Sequence, residues 1–276
     1  MLHQPKPHQP NPHQPKSITQ RLIWPNWATF FALPKLYGKT TSIFLLLFLL
    51  LAFFVVQLIS VVLALPFLPD ELTTSHVDIF TKFLMAADNG TTLAVSVVFN
   101  AIFLIGLCWL TIKAKGGDVG HFLSLNHLPK WRWVGMFVSV LMVFVLISET
   151  LSQWLGIDAL EFMRPLYDSA NPKWLLILSV TVLAPIYEEV LFRGVMWSLV
   201  AQQFAKPVHA FCTASLVSSV LFAVVHLQYD AYGMVTIFML ALLFSLARVM
   251  SASLWLPILL HICNNSLSMY QLTHSL

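Results

Sequence analysis

Long apolar stretches follow one another along most of this 276-residue chain. Seven of them come close to or exceed the length of about 20 residues that a helix needs to cross a bilayer. They cover residues 42–66, 91–112, 133–155, 174–200, 207–227, 231–249 and 253–273, and the last two barely reach that length. The pattern predicts an all-α, polytopic helical membrane protein with about seven transmembrane helices, or eight.

The first 40 residues differ from the rest and are not expected to span the membrane. Residues 1–20 repeat the triplet His-Gln-Pro and contain little apolar surface, which predicts a disordered tail. Residues 21–40 are rich in aromatic side chains but are broken by Pro25 and Pro34, which is typical of a segment lying in the membrane interface. The transmembrane bundle is therefore expected to occupy residues 42–273.

The amino-acid composition agrees with that of a polytopic membrane protein. The chain is 58% hydrophobic and only 10% charged, with a mean hydropathy of +0.78. Its formal net charge of +3 is too small to indicate a nucleic-acid partner. The three cysteines lie in apolar segments at unrelated spacings, so they indicate neither a disulfide framework nor a zinc knuckle.

The charged residues between the spans orient the chain. Lysine and arginine dominate the region before the first span and the 113–132 connection, whereas acidic residues dominate the 67–90 and 156–173 connections. Because Lys and Arg accumulate on the cytoplasmic side, the N-terminus is predicted to be cytoplasmic, and the fourth span runs from outside to inside. We expect an integral, multi-pass protein of the cell's inner (cytoplasmic) membrane.

The fourth span carries three charged residues in a nearly uninterrupted apolar run: Glu188, Glu189 and Arg193. Charge inside a bilayer costs several kcal/mol, of order 3, unless it is paired or hydrated. Glu189 and Arg193 stand four residues apart and can pair on one helical face, whereas Glu188 points elsewhere. The pair could simply lock helices together, but an ionisable residue within the membrane indicates a functional site first.

Two later spans supply further polar groups. The fifth contains His226 one turn after Phe222, and the seventh contains His261 and Asn265 on one helical face. Taken singly, such a histidine is more often a hydrogen-bonded structural residue, and a buried asparagine often joins helices. Their coincidence with the charged residues of the fourth span favours chemistry.

A carboxylate and an imidazole that meet in a half-dry cavity can act as a general base and its partner. A second imidazole with a carboxamide can stabilise negative charge developing on oxygen. Together these groups could hydrolyse an amide with activated water. Zinc is the rival, because Glu188, His226 and His261 are acceptable zinc ligands, although the chain has no HExxH motif.

The three motifs resemble those of the CPBP intramembrane proteases, also called the Abi or CAAX-protease family. The matching residues are Glu188-Glu189-x-x-x-Arg193, Phe222-x-x-x-His226 and His261-x-x-x-Asn265, and the similar region, a CPBP-like catalytic core, covers residues 174–270. The resemblance implies a glutamate-dependent endopeptidase without a cofactor. Glu188 and His226 would activate water, His261 and Asn265 would bind the oxyanion, and Glu189, Arg193 and Phe222 would support them.

Other functions remain open at this stage. The same residues could serve a zinc-dependent protease, line the path of an ion-coupled transporter, or persist in a non-catalytic immunity or scaffold protein. For the protease, the resemblance implies a membrane-associated protein or peptide substrate, lipidated or not. The residues do not reveal the substrate's identity, the oligomeric state or the side on which the site opens.

The predicted orientation can be tested by cysteine labelling in intact cells. In a chain whose native cysteines are replaced, an impermeant thiol reagent should label Ser75→Cys and should not label Ser17→Cys. The side of the membrane expected for each of these residues follows from the distribution of Lys and Arg between the connections. Labelling of position 17 but not of position 75 would invert the topology.

Overall fold

The computed structural model describes residues 35–69, 77–158 and 160–274. Within these ranges the chain forms ten helices and no strand, which confirms the predicted all-α membrane fold. The helices are α1 (Lys39–Ala64), α2 (Ile79–Ala87), α3 (Gly90–Lys113), α4 (Val119–Phe122), α5 (Trp131–Leu155), α6 (Met163–Ser169), α7 (Lys173–Ala201), α8 (Pro207–Val224), α9 (Ala231–Ser251) and α10 (Trp255–His274). The predicted tail and most of the predicted interfacial segment lie outside the described residues.

Six helices in the described part of the chain are long and apolar enough to cross a membrane: α1, α3, α5, α7, α8 and α9. Each corresponds to one of the first six predicted spans. The seventh predicted span also forms a helix, α10, but it is less apolar than the others. The reason is that it carries His261, Asn264 and Asn265, which are the kind of residues that mark a site rather than a lipid-facing surface.

The fifth predicted span, residues 207–227, is wrong at its end. Helix α8 stops at Val224, and His226 lies in the following turn rather than in the helix. The His226 amide bonds to the Ala223 carbonyl, and the His226 side chain caps the Phe222 carbonyl that an ideal helix would have bonded to this amide. A side-chain cap of this kind satisfies an orphan carbonyl at a helix end.

Helix α7 lies at the centre of the bundle. Fifty-six per cent of its most apolar stretch is buried, compared with 11–39% for the other five candidate spans. Its side chains form a core with residues of α1, α3, α8 and α10. By contrast, α1 and α5 expose many large apolar side chains, as expected of helices that face lipid.

Two segments of α7 are widened into π-helix, Ser179–Leu183 and Glu189–Met196. In the first, the Ala184 amide bonds to the Ser179 carbonyl, five residues back. The next donor in that pattern would be residue 185, which is a proline and has no amide hydrogen. The Val180 carbonyl is thereby left for a side-chain donor. Widened turns of this kind occur frequently at functional sites.

The two ends of the bundle are connected differently. At one end, the α9–α10 turn is tied to the segment after α4, because Ser253 and Trp255 donate to the His127 and Leu125 carbonyls at 2.6 and 2.9 Å. At the other end, the 156–172 connection contains α6, which packs against the start of α3. There the Gly90 amide donates to Ser169 Oγ at 2.9 Å.

Gly90 has no space for a side chain, since an added Cβ would lie 1.8 Å from the Leu166 carbonyl oxygen of α6. We expect Gly90→Ala to destabilise the folded protein by about 1–3 kcal/mol, because a clash with backbone forces α6 and α3 apart. The readout is the thermal midpoint in detergent. Gly106→Ala, in the same helix, is the matched control, because its Cβ would meet nothing within 4 Å. Equal midpoints for the two variants would contradict the packing described here.

Candidate active site

A buried chain of polar contacts connects α7 to α10. Arg193 Nη1 lies 2.9 Å from Glu189 Oε1, which is the pairing predicted from their spacing. The same Glu189 oxygen lies 2.9 Å from His261 Nδ1. One carboxylate oxygen therefore holds an arginine of its own helix and a histidine of the neighbouring one.

Aromatic rings enclose this chain of contacts. The Arg193 guanidinium carbon lies 4.0 Å from the centroid of the Phe222 ring and 5.6 Å from that of Phe244. The His261 ring packs against the same two phenylalanines. Arg193 and Glu189 are completely buried, so the rings and the carboxylate replace the water that a guanidinium normally requires.

Glu188 points in a different direction from Glu189, into a cavity of about 970 Å³. Glu188 is 9% exposed, and its Oε2 lies 3.8 Å from His261 Nε2. The two adjacent glutamates thus face the two ring nitrogens of His261. Glu188 lines the cavity, and Glu189 lies behind the residues that line it.

His226 enters the same cavity from the turn after α8. Its Nδ1 lies 2.7 Å from the Phe222 carbonyl oxygen. A carbonyl can only accept, so Nδ1 carries the proton, and Nε2 of the neutral ring is an acceptor. The Phe222 ring lies against the His226 ring, with centroids 4.7 Å apart, and fixes its plane.

Asn265 is the third polar group on the cavity wall, and its amide is oriented by α7. Its Nδ2 donates to the Val180 carbonyl at 3.0 Å, the carbonyl that Pro185 leaves without a backbone donor. Asn264 Nδ2 donates to Asn265 Oδ1 at 3.3 Å. Because a carboxamide nitrogen has two hydrogens, one donor of Asn265 remains for another acceptor.

All four residues that sequence reasoning selected for chemistry line this one cavity: Glu188, His226, His261 and Asn265. Phe222 also lines it, whereas Glu189 and Arg193 lie behind. Among the described residues no hydrogen bond joins His226 to Glu188, although both side chains line the cavity.

The residues proposed for zinc do not form a ligand group. In the ranges that the structure describes, no three or more His, Cys, Asp or Glu side chains are grouped closely enough to hold a metal ion. His261 in particular has Nδ1 engaged by Glu189, and its Nε2 lies 3.8 Å from Glu188 Oε2.

Sequence reasoning missed two polar residues in the core. Arg248 of α9 is completely buried, with Nη2 3.0 Å from Ser198 Oγ and its guanidinium over the Trp197 ring. Its charge in an apolar span is the same signal that identified Arg193 and could have found it. Asn100 of α3 is 5% exposed and lines the cavity, but a single asparagine in an apolar segment gives no such signal.

Comparison with known proteins identifies the group to which this site belongs. The sequence model of the Rce1-like family, described as type II CAAX prenyl endopeptidase Rce1-like, matches residues 170–267. An Escherichia coli protein described only as an uncharacterized 24.3 kDa protein is 31% identical over 163 residues, which are 58% of this chain and 69% of that protein. No solved structure gives a significant match. The matched region contains Glu188, His226, His261 and Asn265. This multi-pass membrane protein therefore belongs to the Rce1-like family of CAAX endopeptidases, which are peptide hydrolases.

Proposed function

We propose that this protein is a glutamate-dependent intramembrane endopeptidase that hydrolyses a peptide bond of a membrane-associated protein or peptide with activated water. One observation carries the proposal: a cavity of about 970 Å³ is lined by Glu188, His226, His261 and Asn265 together. An apolar bundle has no structural need for four such groups around a cavity, because each costs free energy to keep away from water.

In this mechanism Glu188 is the base. Its carboxylate takes a proton from a water molecule while the water oxygen bonds to the carbonyl carbon of the substrate. His226 orients that water, because its Nε2 is an acceptor when Nδ1 donates to the Phe222 carbonyl. Glu188 then returns the proton to the departing amine as the carbon–nitrogen bond breaks.

His261 and Asn265 stabilise the oxyanion that forms on the carbonyl oxygen. Asn265 contributes its remaining amide hydrogen. His261 can donate from Nε2 only as an imidazolium, because Nδ1 already donates to Glu189. An imidazolium at this position would face the Glu188 carboxylate, whose Oε2 lies 3.8 Å from Nε2.

Each rival function gives a different result. A zinc protease on the same residues would lose activity to a chelator, regain it with zinc and copurify with the metal. An ion-coupled transporter would show Glu188-dependent uptake in vesicles without cleavage. A non-catalytic immunity or scaffold protein would show neither activity. The cavity with its four polar residues, and the absence of a metal-ligand group among the described residues, favour hydrolysis by Glu188 and water over all three.

The mechanism predicts unequal losses among folded variants. Glu188→Gln and His226→Ala should abolish cleavage, whereas Asn265→Ala should retain turnover reduced by about 10²–10³, the usual value of one oxyanion donor. The assay is mass spectrometry of peptides from a membrane-protein digest, in prenylated and unlipidated form, incubated with protein purified in detergent.

His209→Ala is the matched control for His226→Ala, because His209 is exposed at the start of α8, the helix that His226 follows, and does not line the cavity. It should cleave like the wild type. Full cleavage by folded Glu188→Gln would remove Glu188 as the base, and inhibition by chelator with rescue by zinc would move the reaction to a metal.

The site also predicts a division between folding and chemistry. Arg193→Ala should lower the stability and folded yield in detergent, because losing one partner of a buried ion pair costs about 3–5 kcal/mol. Glu188→Gln should fold like the wild type, since Glu188 faces the cavity. The exposed Arg132→Ala serves as the control for loss of an arginine. Equal yields for Arg193→Ala and Arg132→Ala would refute this division.

A further inference from the structure

Three tyrosines line the active-site cavity: Tyr187, Tyr229 and Tyr232. A buried tyrosine usually gives its hydroxyl a hydrogen-bond partner. Tyr232 of α9 donates to the Ser148 carbonyl of α5, and the Tyr187 phenol interacts with the carboxylate of the adjacent Glu188. The Tyr229 hydroxyl has no hydrogen-bond partner among the described residues, yet its oxygen keeps accessible surface. It is therefore available to a molecule in the cavity.

The fold restricts the position of the Tyr229 ring. Tyr229 lies in the turn after α8, where its amide donates to the His226 carbonyl at 3.1 Å. Its ring centroid lies 6.3 Å from that of His226 and 6.0 Å from that of Phe162. Gly233, in the first turn of α9, packs against it: an added Cβ would lie 2.9 Å from Tyr229 Cβ and 3.3 Å from its Cδ1. A hydroxyl on a ring held in this way can act as an oriented donor.

The surroundings of Tyr229 keep its phenol protonated. Burial and, to a smaller extent, the negative charge of Glu188 raise the pKa of Tyr229 above its ordinary value. At neutral pH the hydroxyl is thus a hydrogen-bond donor. Tyr229 is connected to both residues that hold the attacking water in the proposed mechanism, to His226 by ring contact and to Glu188 by charge.

That water needs one more protein group than the proposed mechanism has given it. Its two hydrogens go to the Glu188 carboxylate and to His226 Nε2, and one lone pair must point at the substrate carbonyl carbon. The second lone pair requires a donor, because a bound water typically makes about three hydrogen bonds to the protein. Neither Glu188 nor His226 can donate, since an ionised carboxylate and an unprotonated Nε2 only accept.

We propose that Tyr229 is a further catalytic residue, whose hydroxyl donates a hydrogen bond to the oxygen of the attacking water. This bond orients the remaining lone pair toward the carbonyl carbon. As Glu188 removes a proton from the water, the phenol hydrogen stabilises the negative charge that grows on the water oxygen. The phenol keeps its own proton throughout, so Glu188 still carries the proton to the departing amine. The proposal rests on the proposed endopeptidase function and adds a residue to its water-binding group.

The first test removes only the hydroxyl, with Tyr229→Phe in the full-length protein in detergent and a peptide that the wild type cleaves. We expect kcat to fall about 10–10²-fold, the value of one hydrogen bond to a group that becomes charged. KM should stay within about twofold, because the donor acts on the water and not on the peptide. The thermal midpoint should be that of the wild type. Tyr270→Phe is the matched control and should keep full kcat, because Tyr270 is exposed and does not line the cavity.

The second test uses the contact between Gly233 and Tyr229. Gly233→Ala should displace the Tyr229 ring and lower kcat about tenfold or less in the wild-type background. In the Tyr229→Phe background the same substitution should change kcat by less than about twofold, because the hydroxyl through which it acts is already absent. Thermal midpoints of the four proteins separate this coupling from a general loss of folding.

Several results would overturn the role of Tyr229: an unchanged kcat in folded Tyr229→Phe, a raised KM with unchanged kcat, a lowered thermal midpoint of that variant, or independent losses in the double variant. In each case the wild type still cleaves and Glu188→Gln does not, so the proposed function stands. A wild type that cleaves no peptide, or a folded Glu188→Gln that cleaves as well as the wild type does, would overturn both.

Discussion

The structure depends on one carboxylate oxygen, Glu189 Oε1, which contacts both Arg193 and His261. A guanidinium at the centre of an apolar bundle can be kept only with a counter-charge and a polarisable enclosure, and this oxygen and the Phe222 ring supply them. Because the same oxygen also holds His261, α7 and α10 cannot shift relative to each other without breaking the pair. The position of the second histidine is thus fixed by the interaction that makes the buried arginine tolerable.

The widened turns of α7 have a related effect. Pro185 removes a backbone donor, the helix opens, and the freed Val180 carbonyl orients Asn265 of α10. In the second widened segment Ser218 of α8 donates to the Phe192 carbonyl at 2.9 Å. The irregular segments of one central helix therefore contact α8 and α10, two of the helices that line the cavity. A regular helix would have bonded the Val180 carbonyl internally and would have left Asn265 without this acceptor.

The sequence was sufficient for the parts of this fold that rest on local pattern. The apolar runs predicted the spans to within a few residues, and the spacing of Glu189 and Arg193 predicted their pairing. It was insufficient where contacts between distant segments decide, as for the end of α8, where the side chain of His226 replaces a backbone bond. The link from Glu189 to His261 crosses 72 positions of sequence, and nothing local encodes it. Asn100 was missed for the same reason, since only the assembled cavity distinguishes it from an asparagine that joins helices.

Among the described residues, neither the α9–α10 turn nor the segment after α4 to which it is tied lines the cavity. Water would therefore enter the cavity from elsewhere than this end of the bundle. In the proposed mechanism, a proton taken from that water and returned to a leaving group would enter and leave through the same opening, so no charge would cross the membrane during a cycle. Hydrolysis at this site would neither dissipate an ion gradient nor respond to the membrane potential, and the protein could remain permanently open to its substrate without making the membrane leak.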